Sequence, residues 1–267
     1  MKITAAQINN QCAEPVLIHP QYRFLAIFSA KSACSSVVIW FFYTMGLLEE
    51  ARNYHEWPHQ YRFDKFMPSD SQRATRKIPL DELKFLRVVR DPLIRATSSF
   101  RHALATNYAQ KWIEEKIGIN TQIEGLSFQQ FIDFLEKENL DWCDSHHRHQ
   151  KHPIEEIRPA DFLINVSEQD LFTELNNFER LMKMPLTDFN QLKWIHELQA
   201  ARVVPTVDMG PDADLLILTG LQAQRGLWPK NLLTQRARKR LEKLFAEDIR
   251  LYTIKSFLKN EYNSTNQ

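Results

Sequence analysis

The chain has 267 residues, 43% of them hydrophobic and 25% charged, with a formal net charge of +1. That composition is ordinary for a folded globular protein and sets aside the disordered and fibrous classes. Near-neutral charge also disfavours a nucleic-acid binder that relies on bulk positive charge. The three cysteines, Cys12, Cys34 and Cys143, are odd in number and widely spaced. They fit neither a disulfide framework nor a zinc site built on close ligand pairs, and they favour a reducing compartment.

The N-terminal MKITAAQINNQCAEP has no apolar core of signal-peptide length, and no segment approaches the ~20 apolar residues of a membrane span. A soluble, cytoplasmic protein is the expectation. Residues 22–30, YRFLAIFSA, are apolar and end in small residues, which predicts a buried strand. From Ser35 the run SSVVIWFFYTMGLLEEARN is long enough for a helix, with Ser35 or Ser36 as N-cap and Gly46 in its later part. Pro58, Pro68 and Pro79 break the polar stretch 52–80 into loops and short helices.

LKFLRVVRD, Leu83 to Asp91, predicts a second strand, and Pro92 opens the long helical segment PLIRATSSFRHALATNYAQKWIEEKIG. Ser127 caps an amphipathic helix with apolar residues at 128, 131, 132 and 135. A histidine-dense loop, DWCDSHHRHQKHP, leads to a third strand in DFLINVSEQD and a helix in LFTELNNFERLMKM. A long C-terminal helix with a basic first half, including RARKR at 236–240, closes the chain. No repeat or low-complexity linker divides it, so a single domain over 1–267 is expected, with an N-terminal extension over 1–20 and a frayed tail over 256–267. Strands alternating with helices imply an α/β fold with a mostly parallel sheet covered on both faces. Ligands of such sheets bind beyond the carboxyl ends of the strands, which directs attention to the loops after Ala30 and Val89.

The first loop places Lys31 at a strand end and SACSS at the start of a helix, where outward amides and the helix dipole favour an anion. In the second, VVRDPLIRATSSF, Arg90 ends a buried strand and Ser98 follows two turns into the next helix. Arginine suits bidentate phosphate recognition and serine adds a single donor. Taken singly, each loop has a plain alternative: a solvated lysine, or an Arg90–Asp91 ion pair.

Together the two loops resemble the motifs of the carbohydrate-type sulfotransferases of family 2. KSACSS is similar to their 5′-phosphosulfate loop, K-x-[AG]-C-[TS]-[TS], and VVRDPLIRATSSF to their 3′-phosphate motif. Weaker similarities follow in family order. SFQQFIDFL resembles S-F-x-x-F-x-x-[FY]-L, and DSHHRHQ resembles D-x-H-W-x-P-Q, with His147 in place of tryptophan and His149 in place of proline. ADFLINVSEQDL and LFAEDIRLY resemble the later strand and terminal-helix motifs, so the likeness spans about 22–255. It implies a P-loop-like three-layer sandwich and a sulfuryl donor, 3′-phosphoadenosine-5′-phosphosulfate (PAPS), held without metal, with 3′,5′-adenosine bisphosphate (PAP) as product. It further implies a hydroxyl acceptor on a saccharide or glycoconjugate.

Residue by residue, the resemblance assigns Lys31 to the 5′-phosphate as sulfate leaves it. Ser32, Ala33, Cys34, Ser35 and Ser36 would form the cradle of the 5′ end. Arg90 and Ser98 would bind the 3′-phosphate, with Asp91 and Arg95 holding loop and helix in place. The lack of an N-terminal anchor departs from the Golgi members and suggests a bacterial-type soluble enzyme. Sulfuryl transfer needs in-line positioning, charge stabilisation at the leaving oxygen and a base titrating near neutrality. His146 falls on the family-matching histidine and is the first choice for acceptor binding or base, while His55 and His59, with Glu56 beside them, lie between the two donor loops where several sulfotransferases carry their base. The histidines at 146, 147, 149 and 152 lack a second ligand group at metal spacing, so no metal is expected. Cys34 at a helix N-terminus could be a nucleophile, but without an ordered base it reads as packing. Trp57 or Trp112 could stack on a sugar. The alternatives are a catalytically inactive binding module and a phosphate-loop nucleotide kinase; the latter lacks G-x-x-x-x-G-K-[ST].

Overall fold

The computed structural model describes residues 3–9 and 16–252. Cys12, the expected tail at 256–267 and the end of the expected C-terminal helix lie outside the described residues. The chain divides into two compact units. The first runs to Val89 and resumes over Lys151–Gln199; the second comprises Arg90–Gln150 and the residues from Ala200.

The first unit carries a four-stranded sheet, ordered β1 (Leu17–His19), β2 (Phe24–Phe28), β3 (Lys84–Val89), β4 (Phe162–Asn165). β2, β3 and β4 are parallel, whereas β1 is antiparallel to β2, so the sheet is mixed. β1 lies inside the stretch read as an N-terminal extension; a run of three strand residues has too little period to announce itself. Alternation of side chains then builds two apolar layers. Phe24, Ala26, Phe28, Leu86 and Val88 pack with the helices Cys34–Thr44 and Leu171–Leu181. Leu25, Ile27 and Phe85 pack on the other face with Ile8, Leu80 and Ile154. Burial on both faces is why these strands read as near-continuous apolar runs.

The helix expected to run on from Ser35 is interrupted. It ends at Thr44, and Gly46 takes φ 71°. The Gly46 N–H donates to the Tyr43 carbonyl and the Leu47 N–H to the Phe42 carbonyl, at 3.0 and 2.8 Å. That pair of bonds is the Schellman closure which a left-handed glycine permits, and a second helix starts afresh at Leu48–Tyr54. The segment 52–80 is short helices and turns, as its prolines predict.

The second unit is mainly helical, with Pro92–Thr106, Gln110–Ile117, Phe128–Lys137 and Gln235–Leu244 around Phe100, Phe128, Phe131 and Phe134. The helix from Pro92 does not continue to Gly118: Asn107 adopts φ 54° and splits it. Ser127 caps its helix through a full capping box with Gln130. A short parallel pair, β5 (Thr206–Val207) with β6 (Trp228–Pro229), is too brief to be read from sequence. The basic run is largely committed to carboxylates: Arg236 pairs with Asp212 and Asp214, and Arg240 with Asp133 and Glu136.

Candidate functional site

In the first unit, the candidate residues lie at one end of the sheet. β2 and β3 are parallel with Phe28 opposite Val88, so both strands finish at one edge. The Ser29 N–H extends the pairing by one bond to the Val88 carbonyl, 3.3 Å, and the Ser32 N–H turns back onto the Ser29 carbonyl, 3.2 Å. Lys31 and Ala33 then both lie in the left-handed region, at φ 67° and 59°. Such a conformation costs a non-glycine residue about 1–3 kcal/mol and is held only where the surroundings over-determine it. Alternating hand over successive residues turns backbone amides toward one side and makes an anion-binding concavity. The loop therefore holds two left-handed positions without a glycine at either.

The helix N-cap is Ala33, not Ser35 or Ser36 as expected, and no side chain caps it. The first intrahelical bond runs from the Val37 N–H to the Ala33 carbonyl, 3.2 Å. Ser35 and Ser36 thus sit in the first turn, where amides point out of the helix end along the favourable side of its dipole. Ser32, Ser35 and Ser36 are buried, while Lys31 and Cys34 are half-buried.

A buried brace holds the base of this loop. Arg87, in the middle of β3, donates from its NH2 group to Ser29 Oγ at 2.9 Å and from Nε to Glu155 at 3.0 Å. The His152 N–H reaches the same Glu155 oxygen at 3.1 Å. Sequence reasoning passed over Arg87 and Glu155, although a charged residue in the apolar run LKFLRVVRD was a visible signal. It also passed over Arg62, whose buried guanidinium lies over the Phe63 and Phe28 rings, 4.3 and 5.2 Å from their centroids.

Of the two base candidates in this unit, His59 meets the loop. Its Nε2 is 3.3 Å from Ser35 Oγ, it is buried, and its ring lies beside Trp57 at 5.2 Å. His55 is exposed, with Nδ1 accepting the Trp57 N–H at 2.9 Å. Glu56 is exposed too, and its carbonyl accepts Trp194 Nε1–H.

In the second unit, Arg90 is clamped through its main chain. Its N–H donates to Gln150 Oε1 at 3.0 Å, and Gln150 Nε2 returns a bond to the Arg90 carbonyl at 2.8 Å. The Gln150 N–H is held in turn by the buried Asp248 carboxylate, at 2.9 and 3.0 Å. Two of the weaker motif segments thus supply the clamp of a stronger one. Burial pulls the Arg90 guanidinium below the usual arginine range, and the charge of Asp91 opposes that shift. Asp91 accepts the Ile94 N–H as N-cap, and buried Arg95 donates to the carbonyls of Arg148 and Ser145, at 2.6 and 2.9 Å. Ser98 is half-buried on the same helix.

The histidine loop is ordered by pairing. His146 Nδ1 lies 2.7 Å from Asp144 Oδ1, and its ring packs against His102 and Tyr108, centroids 4.4 and 4.7 Å away. A carboxylate on Nδ1 fixes the tautomer and leaves Nε2 as the basic nitrogen. Burial drives His147 down to about 4, so it is neutral near pH 7, with Tyr108 Oη at 3.1 Å from its Nδ1. His149 bonds Asp141 at 2.9 Å and the Leu244 carbonyl at 3.1 Å. Burial lowers its pKa, but those bonds and the charge of Asp248 outweigh it and raise the value overall.

A family model for the sulfotransferase family matches residues 14–254, running through both units. The chain belongs to sulfotransferase family 2. Neither curated proteins nor solved structures give a significant match. Membership supports sulfuryl transfer, an activity of EC 2.8.2 type, onto a hydroxyl-bearing acceptor. Among the described residues, no helix is long and apolar enough to cross a membrane.

Proposed function

We propose that this sulfotransferase moves a sulfuryl group from PAPS to a hydroxyl of a saccharide or glycoconjugate, on a P-loop-like fold and without a metal in the transfer step. The observation that carries the reading is the Lys31–Ser36 loop: two left-handed, non-glycine residues lead into a helix N-terminus, with a lysine among them. A single phosphosulfate is a smaller load than a triphosphate, and a short turn of this kind suits it. Lys31 neutralises charge on the bridging oxygen as the sulfur–oxygen bond breaks and the electron pair passes to the 5′-phosphate. Ser32, Ala33, Cys34, Ser35 and Ser36 hold the 5′ end, and Arg90 with Ser98 holds the 3′-phosphate.

His59 is the base by its contact with the donor loop, 3.3 Å from Ser35 Oγ. It takes the proton of the acceptor hydroxyl as the new oxygen–sulfur bond forms. Trp57, 41% exposed beside it, offers an apolar face for a sugar ring. A second reading gives this task to His146, because Asp144 orients it as a base requires.

The test has two stages. Calorimetry with PAP measures the donor site, and an absence of binding would sink the reading. Transfer of labelled sulfate onto a panel of oligosaccharides and small phenols then measures catalysis. Binding without turnover on any acceptor would favour the inactive binding module. His59→Asn is expected to lower kcat by about 10²–10⁴ and to remove the acidic limb of the pH–rate profile. If His146→Asn does this instead, the second reading takes over.

A further inference from the structure

We propose that Glu138, Cys143 and His147 bind a divalent transition-metal ion of the zinc class. One ligand atom from each residue lies within 4.8 Å of the other two, and no other such group occurs among the described residues. The backbone builds the cluster. The Cys143 N–H donates to the Asn139 carbonyl at 2.9 Å and the Arg148 N–H to the Asp144 carbonyl at 3.0 Å. These consecutive turns bring the spacing E-x4-C-x3-H onto one side of the loop.

A second, independent observation is a cavity of about 200 Å³ lined by Trp112, Glu138, Trp142, Cys143, Asp144 and His147. All three candidate ligands therefore border one space. Three protein ligands with an open side are the arrangement of zinc sites that keep a position for water or another small ligand. Thiolate, imidazole and carboxylate together select zinc and its neighbours over calcium or magnesium, which want oxygen alone.

The outer contacts agree. Tyr108 Oη engages His147 Nδ1 at 3.1 Å, which orients the ring and leaves Nε2 for the metal. Lys116 Nζ, 3.6 Å from Glu138, is the cation that the metal replaces. The carboxylate and the thiolate balance the charge of the dication, and the proton of the Cys143 thiol passes to solvent as the metal–sulfur bond forms. Zinc bonds of roughly 2.0–2.3 Å draw ligand atoms to within about 4 Å of one another, so binding tightens the cluster. His147 occupies the place where the sulfotransferase pattern has tryptophan. That departure supplies the imidazole, and the assignment is independent of the donor-site reading.

The test uses the full-length protein, stripped with a chelator and titrated with Co²⁺. One equivalent is expected to give a thiolate-to-cobalt charge-transfer band in the near ultraviolet, and Zn²⁺ is expected to displace it. Cys143→Ser should abolish the band and Cys34→Ser should keep it. Glu138→Gln, checked by circular dichroism for an unchanged fold, should weaken Co²⁺ by roughly tenfold or more. It carries the test if the cysteine variant does not fold. Absence of the band, its survival in Cys143→Ser, or an unchanged affinity in Glu138→Gln overturns the proposal.

Discussion

The segment around Lys31 is shaped by its own backbone, whereas Arg90 is held by side chains reaching its main chain. In the first, two residues are strained into left-handed conformations, and one buried arginine, Arg87, pins the turn at Ser29. In the second, the peptide groups on both sides of Arg90 are paired by Gln150, and Asp248 holds Gln150. A charged group that must meet one ligand atom profits from a rigid backbone cradle. A guanidinium that presents a planar fork profits from a fixed point of departure.

The largest expected effect concerns the two braces. Glu155→Ala leaves Arg87 buried without its carboxylate, both side chains being under 5% exposed. It should cost about 3–5 kcal/mol of stability in urea unfolding. Asp248→Asn keeps the shape of the second brace but replaces the charged acceptor of the Gln150 N–H by one neutral amide oxygen, at about 1–3 kcal/mol. Equal losses would erase the distinction between them.

Next comes the split in kinetics. On the proposed role of Lys31, charge stabilisation at the leaving oxygen, Lys31→Ala should lower kcat by about 10²–10³. Arg90→Ala should instead weaken PAP binding by about 1.5–3 kcal/mol in calorimetry, with a smaller change in kcat. A kcat effect of the same size in both would show that the loops do not divide the work.

Strain in the first loop is open to a smaller test. Ala33→Val places a β-branched residue at φ 59° and should cost about 1–2 kcal/mol, whereas Ala33→Gly should be tolerated. A valine variant that melts with the parent would remove the strain from the account.

The smallest effect is a pH slope at His19, in the edge strand β1. Its Nδ1 accepts the Tyr22 N–H at 3.3 Å and its Nε2 meets the Thr44 carbonyl at 3.3 Å, an arrangement that suits the neutral ring. Burial lowers its pKa from 6.5, with the Thr44 bond opposing. The unfolded chain therefore binds more protons, so this contribution to stability is complete above pH 6.5 and fades as the pH falls below it toward the folded value. His19→Asn should flatten that part of the stability–pH curve, and an unchanged slope would remove His19 as its source.

Much of this was legible in the order of residues. Apolar runs located β2 and β3, the first ending in small residues and the second before Pro92, because a sheet buried on both faces demands such runs. Pro92 and Ser127 marked helix starts through purely local chemistry, a missing N–H in one case and a hydroxyl acceptor in the other. KSACSS and the RDPLIRATSS run pointed to the two loops, since a lysine, an arginine and small hydroxyl residues at strand ends carry their chemistry with them.

Tertiary structure alone decided the rest. Propensity favours serine over alanine as an N-cap, yet the chain enters the helix through a left-handed Ala33, in a turn that the Arg87 brace holds at Ser29. Arg87 and Glu155 stand 68 residues apart and Gln150 and Asp248 stand 98 apart, so no local pattern pairs them. Local residue chemistry sets which groups are available to hold an anion. The strain, burial and pairing that make a particular lysine or arginine rigid come from contacts between distant segments, and only the folded chain contains them.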